Sequence, residues 1–172
     1  KGEELDVLEG WASKDSTIQA ATMSHGGKHL VVVTDDGSLV TLDLKSKQVS
    51  VHRQQLAGEI QSLALSRDGQ HLAVGMVSTT VLLYRADNLE VLHQLAGHKG
   101  STLGLSFSAD GKRLLSANSD STIKLWDVAS GQELIALKDH VAAVKAVLIS
   151  QDGHWVVSSS ADGTVRLWDG RP

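Results

Sequence analysis

Ser119-Asp-Ser-Thr-Ile-Lys-Leu-Trp-Asp127 returns 42 residues later as Ala161-Asp-Gly-Thr-Val-Arg-Leu-Trp-Asp169. The two phrases share an Asp, a Thr, a β-branched residue, a cation, a leucine and a Trp-Asp ending. Self-similarity at a fixed period marks a chain built from one small unit used repeatedly. Sliding the whole sequence by 42 residues aligns four copies without a gap from about Ile18 onward. Ser24, Ser66, Ser108 and Ser150 fall in one column, and Gly27, Gly69, Gly111 and Gly153 in another. Leu42, Tyr84, Trp126 and Trp168 form a third, followed by Asp43, Arg85, Asp127 and Asp169.

Each copy reads as short strands separated by turns. In the last copy Ala143–Ile149 is an apolar run, and Gln151-Asp152-Gly153 predicts a hairpin turn of the Asp-Gly type. Trp155–Ser160 is a second strand, Ala161-Asp162-Gly163 a second turn and Thr164–Trp168 a third strand. A fourth lies between copies, as Gln132–Lys138 after Ser130-Gly131. No stretch carries a convincing helical period. First-strand residues such as Ala146-Val-Leu-Ile149 are apolar or small on both sides of the pleat, which predicts a sheet packed between two others. The column Ala20, Ser62, Gly104, Ala146 is uniformly small, as crowding near a hub requires. Four-stranded antiparallel sheets packed face to face about an axis make a β-propeller, an all-β fold.

Bulk properties narrow the functions. With 172 residues the chain makes one domain. Its formal charge of −4 supplies no electrostatic drive toward nucleic acid or anionic lipid. No apolar run approaches a membrane span, and no charged-then-apolar leader opens the chain. Without cysteine there is no disulfide framework, thiolate zinc site or catalytic thiol, and a cytoplasmic location is expected. The start at Lys1 rather than Met predicts a processed piece or part of a longer protein.

At these positions the chain resembles the WD-repeat β-propeller family. Trp126-Asp127 and Trp168-Asp169 match its name-giving dipeptide. Ala96-Gly97-His98 resembles its Gly-His element, and Asp139-His140 is a variant of it. Copy two departs from the pattern at Leu56 and Tyr84-Arg85, and copy one at Leu42-Asp43. Turns and apolar columns persist there, so the fold is expected to hold with weaker internal hydrogen bonding. The units are 11–55, 56–97, 98–139 and 140–172, with 1–10 a closing outer strand. Gly2–Trp11 matches Gly131–His140, so the chain opens with a fourth strand and ends with a third. In the family, an opening strand commonly completes the final blade.

Four blades alone would sit about 90° apart, at the lower limit of propellers. The family's blades usually pack at about half that angle, in rings of seven or eight. Two chains exchanging terminal strands would make an eight-bladed homodimeric ring, which is the expected assembly. A fragment completed by other sequence and a lone four-blade ring are the alternatives.

The resemblance also implies roles. His98, Ser116, Asp120 and Trp126 recur as His140, Ser158, Asp162 and Trp168. Ser, His and Asp invite a hydrolase reading, whereas the family pattern implies a hydrogen-bonded tetrad tying the strands of one blade. An active site has no reason to recur at the blade period, so the tetrads are read as structural. His25 and His29 flank a Gly-Gly turn, and His29 and His71 lie in neighbouring blades, so no metal site is expected. Gly97-His-Lys-Gly-Ser-Thr102 has the wrong order for a phosphate loop. The Asp-Gly pairs lack the alternating carboxylates of a calcium loop. Trp11 and Trp155 lie outside the tetrads, and a role capping inter-blade grooves is expected for them.

No catalytic, cofactor or metal residue is assigned. The innermost columns offer Gln19, Gln61, Thr102, Ser106 and Lys145, with no His, Asp or Glu for acid–base chemistry. WD-repeat propellers typically hold peptides or domains at one rim. The matching rim positions are Asp35, Val77, Ser119 and Ala161, beside Thr17, Glu59, Ser101 and Ala143. The expected function is a non-catalytic protein–protein interaction scaffold with a protein or peptide partner. The alternatives are a sensor or regulatory arc of a larger protein, bacterial signalling proteins included, and an engineered or symmetry-selected propeller.

Overall fold

The computed structural model describes residues 16–25, 27–52 and 58–170, and all regular structure among them is β. Blade 1 comprises β1 (Ile18–Met23), β2 (His29–Thr34), β3 (Leu39–Asp43) and β4 (Gln48–His52). Blade 2 comprises β5 (Ile60–Leu65), β6 (His71–Met76), β7 (Thr80–Arg85) and β8 (Val91–Ala96). Blade 3 comprises β9 (Thr102–Phe107), β10 (Arg113–Asn118), β11 (Ile123–Asp127) and β12 (Glu133–Leu137). Blade 4 comprises β13 (Val144–Ile149), β14 (Trp155–Ser160) and β15 (Val165–Asp169). Each sheet is an antiparallel meander in chain order. The expected partner of β15, residues 2–11, lies outside the described residues, as does Trp11.

The first turn of each blade is longer than the two-residue hairpin the Asp-Gly pair suggests. Ser150 N–H donates to Trp155 O at 2.8 Å, which leaves four residues in the loop. Only Gly153, at φ 73°, takes the left-handed region there, so Asp152 is free for another job. Its Oδ1 accepts from the Ser150 hydroxyl at 2.5 Å and from His154 N–H at 3.0 Å. The repeated Ser-x-Asp-Gly is therefore a side-chain-braced loop, the four-residue class of hairpin connection. Blade 1 has Gly26 in the Asp column, and among the described residues its brace is the Ser24 hydroxyl accepting from His29 N–H at 3.0 Å.

The inner strands lie side by side in chain order, β1 beside β5, β5 beside β9 and β9 beside β13. Their crowding is visible at Gly104: a Cβ there would come within 3.1 Å of the Ala146 Cα. Ser62 bridges blades 2 and 3 by donating its hydroxyl to Thr102 O at 2.9 Å. Register shifts recur near the first residues of β1, β5 and β13, opposite the second turn. Such bulges sharpen twist where strands leave the hub.

Alternation fills the space between blades. Val31, Val33 and Leu39 of blade 1 pack on Leu72, Val74 and Tyr84 of blade 2. Ala73, Val81 and Leu83 pack on Leu114 and Trp126 of blade 3. Leu115, Ala117 and Ile123 pack on Val147 and Val156 of blade 4, with Trp168 at the margin. One face of each blade therefore presents its second-strand apolar set forward, and the Leu/Tyr/Trp column faces back. Each fully buried Leu or Val is worth about 1.5–3 kcal/mol, so these junctions carry the stability.

The forward face of blade 4 breaks the series. Val157, Val165 and Leu167 hold the columns of Val31, Leu39 and Thr41, yet are 38%, 72% and 63% exposed. Leu148 beside them is 66% exposed. Among the described residues nothing packs there as blade 2 packs on blade 1.

Candidate functional site

In blade 3 the four tetrad side chains meet. Trp126 Nε1 donates to Ser116 Oγ at 2.8 Å, and Ser116 Oγ lies 2.7 Å from His98 Nε2. His98 Nδ1 lies 3.1 Å from Asp120 Oδ2. A carboxylate only accepts, so His98 carries its proton on Nδ1, and Nε2 accepts from the serine hydroxyl. Donation then runs one way: indole to hydroxyl, hydroxyl to imidazole, imidazole to carboxylate. Blade 4 repeats the chain: Trp168 to Ser158 at 2.9 Å, Ser158 to His140 at 2.8 Å and His140 to Asp162 at 2.7 Å.

Thr122 and Thr164 extend these networks, and the sequence reading passed over them although both stand in the opening phrases. Thr122 Oγ1 and N–H both donate to Asp120 Oδ1, at 2.6 and 3.0 Å. Thr164 does the same for Asp162, at 2.6 and 2.9 Å. Lys99 N–H adds a bond to Asp120 at 2.8 Å, which anchors the Gly97–Thr102 loop to the second turn. Burial pushes the Asp120 carboxyl up, but the bonds from Thr122, Lys99 and His98 outweigh it, and the net direction is down. Burial pushes His98 below its ordinary value against the pull of Asp120. The Thr164 hydroxyl, with His140 behind it, holds the Asp162 carboxyl well below the usual carboxylate range.

The arrangement has the connectivity of a hydrolytic triad without its access. Ser116 is 0% and Ser158 1% exposed, and each oxygen already accepts an indole proton. Neither can reach a substrate in the folded protein. In blades 1 and 2 the serine column holds Val32 and Val74, and the Trp column Leu42 and Tyr84. In blade 1 both polar side chains give way to apolar ones, and in blade 2 valine replaces the serine and tyrosine the tryptophan, so the indole donor and its hydroxyl acceptor are lost together.

The rim positions come together in pairs. Asp35, Val77, Ser119 and Ala161 each donate a backbone N–H to the carbonyl of Thr17, Glu59, Ser101 and Ala143, at 3.0, 2.9, 2.9 and 2.9 Å. They form a row across four blades on the edge where the first strands begin. Thr17 donates N–H and hydroxyl to Asp35 at 3.0 and 2.7 Å, and these bonds hold the exposed Asp35 carboxyl below its ordinary value. Ser101 Oγ donates to Val77 O at 3.3 Å, linking the rims of blades 2 and 3. Glu59, Val77, Ser119 and Ala161 are exposed, Val77 at 46%.

Of the axial candidates, Gln19, Gln61 and Lys145 are exposed, but Thr102 and Ser106 are committed to packing. Thr102 is buried under Asn118, and Ser106 Oγ accepts from Ile149 N–H at 3.3 Å. Among the described residues no group of three or more His, Cys, Asp or Glu side chains could hold a metal ion. Trp155, 37% exposed, stands at the lower end of the forward face of blade 4 rather than in a groove between described blades.

Comparison with known proteins agrees with this geometry. The family model "WD domain, G-beta repeat" matches residues 89–127 and 131–169. Each match spans most of one blade with its Trp-Asp end. The solved structure of U3-55K is similar at 24% identity over 92% of this chain and 50% of that one, with a TM-score of 0.80. The RRP9 WD40 repeats are similar at 25% identity over 92% and 49%, with a TM-score of 0.78. The computationally designed Ika4 protein is similar at 29% identity over 98% and 99%, with a TM-score of 0.77. No curated protein matches the sequence. Blades 3 and 4 thus carry matches to the WD repeat, and the fold is that of WD-repeat β-propellers. It spans about half the length of the first two solved relatives and essentially all of the designed one. WD40 repeats generally serve as non-catalytic scaffolds that bind protein partners.

Proposed function

We propose that two copies of this chain close one eight-bladed ring by exchanging terminal strands, and that the closed disc is a non-catalytic protein-interaction scaffold. The forward face of blade 4 carries the reading. Its Val157, Val165 and Leu167 are exposed, whereas the same columns are buried under the next blade in blade 2 and buried or, at Leu125, partly buried in blade 3. Exposed contiguous apolar surface on a sheet edge marks an interface. Residues 2–11 match 131–140 in sequence, and in the proposed ring they are the fourth strand of a blade 4 that has three among the described residues. The designed Ika4 chain, matched over 99% of its length, supports reading this chain as a unit rather than an arc. It also keeps the engineered reading open, with the gap-free period in its favour. The rim row from Thr17 to Ala161 is the surface offered to a protein or peptide.

A second reading has its own support. The similarity to half of U3-55K and of the RRP9 repeats favours an arc of a longer propeller, within which it would regulate or sense. Sedimentation equilibrium of the isolated chain separates the two. A discrete particle of twice the chain mass supports the ring, and Leu167→Glu with Val165→Glu should dissociate it. An unstable monomer or a heterogeneous aggregate supports the arc.

A further inference from the structure

A cleft of about 660 Å³ opens between blades 1 and 2. Two cross-strand rows of blade 1 form one wall: His29–Asp43–Gln48 and Val31–Thr41–Ser50. Both rows face blade 2, since Val31 belongs to the core shared with it. The volume is that of an ordinary small-molecule or side-chain pocket.

The repeat provides an internal control. At the junction of blades 2 and 3 the corresponding cross-strand pair is Leu83 and His93. Leu83 is 1% exposed, and His93 Nε2 donates to Ala129 O of blade 3 at 3.0 Å. Its ring leaves no room for a Cβ at Gly131, 2.7 Å away. That junction is full. In blade 1 the pair is Thr41 and Ser50, two short hydroxyl side chains. Strand β4 also lacks the register shift found in β8 and β12. The void and its polar wall therefore come from replacing two large side chains at one junction.

Its charge selects a guest. Asp43, Asp68 and Asp87 line the cleft, against Arg85, which is paired with Glu90 at 3.1 Å, and two histidines, His71 and His29, the latter with Nδ1 3.9 Å from Asp43 Oδ2. The turn bonds described for Asp43 and Asp68 fall on Oδ1 in both residues. Val31, Leu65 and Ala86 supply apolar wall. Acceptors spread around a half-apolar slot suit a planar, multi-donor cation on an aliphatic stem better than a point charge.

We propose that the cleft between blades 1 and 2 binds the side chain of an arginine presented by a partner peptide. The cleft lies within one chain, so it does not depend on ring closure, and its occupancy reads the same in a monomer or a dimer. The test is an NMR titration of the chain with acetyl-Ala-Arg-Ala-amide, using the norleucine and lysine peptides for comparison. The expected result is saturable movement of the His29 ring and of the Thr41 and Ser50 amide signals with the arginine peptide alone. Thr41→Leu, the residue found at 83, 125 and 167, should weaken binding at least tenfold by filling the slot. Asp87→Asn, in an exposed turn, should weaken it severalfold and keeps the test decisive where the leucine variant misfolds. The proposal is overturned by an equal response to norleucine or lysine, by shifts located elsewhere, or by undiminished binding in a folded Thr41→Leu or Asp87→Asn variant.

Discussion

Trp126 donates a hydrogen bond from its indole N–H to the Ser116 hydroxyl oxygen across 2.8 Å, inside a sheet where Ser116 is wholly buried. The two residues hold each other's only polar atom out of the apolar junction between blades 2 and 3. The same two columns read Val74 and Tyr84 in blade 2, and Val32 and Leu42 in blade 1. The fold thus has two solutions for one location, a closed polar chain or none, and no described blade mixes them.

Mixing them should be costly. Ser116→Val strands the Trp126 N–H and removes the donor to His98 Nε2, and is expected to destabilise by about 2–3 kcal/mol. Adding Trp126→Tyr and His98→Leu, the residues of copy two, should restore at least about 1 kcal/mol, because the orphaned groups go together. Urea unfolding of the single and triple variants measures both. A triple variant less stable than the single would contradict the account.

Acid should weaken the fold in two stages. His98 is held below its ordinary value near 6.5, so the unfolded chain binds its proton more readily. Stability contributed there is complete above that value and falls as pH drops below it. Asp120 and Asp162 are held below their ordinary 3.8, so their contribution is present above 3.8 and is lost as pH falls through the folded values. Urea midpoints measured from pH 8 to 3 should decline first below about 6.5, then more steeply below about 4. In His98→Gln the first decline should shrink.

Ser121 sits at φ 69° where the equivalent residues Gly37 and Gly163 have φ 77° and 81°. A side chain with a Cβ pays about 1 kcal/mol for that conformation. Ser121→Gly should therefore stabilise by about 0.5–1 kcal/mol, and Lys47→Gly, at φ 56° in an exposed turn, by a similar amount. A lowered melting temperature in either variant would show that the side chain earns its place by contacts instead.

The hub should not tolerate volume. A Cβ at Gly104 meets the backbone of Ala146, Lys145 and Val147 at 3.1–3.3 Å. Gly104→Ala is expected to cost about 1 kcal/mol and Gly104→Val about 2–3, the range for overpacked cores. Thermal unfolding in the same buffer reads the difference. Equal melting of wild type and Gly104→Val would mean that blades 3 and 4 are less closely packed than described.

Much of this was legible before any coordinates. The period, the strands, the small inner column and both tetrads lie in contacts of fixed sequence separation, such as Ser116 to Trp126 or His98 to Ser116. A repeat writes such contacts down as columns. Even Thr122 and Thr164 were in plain view, overlooked only because a turn threonine reads as β propensity rather than as a carboxylate clamp. The Asp-Gly turn misled for a related reason: glycine's positive φ was correctly expected, but the aspartate's brace to Ser150 lengthened the loop.

The sequence by itself determined that there are four like units and which side of each strand is apolar, because local propensity and alternation act within one blade. Only the tertiary structure decided where facing blades fit and where they do not. The slot beside Thr41 and Ser50 and the bare face of Val157, Val165 and Leu167 depend on the summed volume of side chains from two different repeats. Packing is a property of that pair, and neither member spells it out alone.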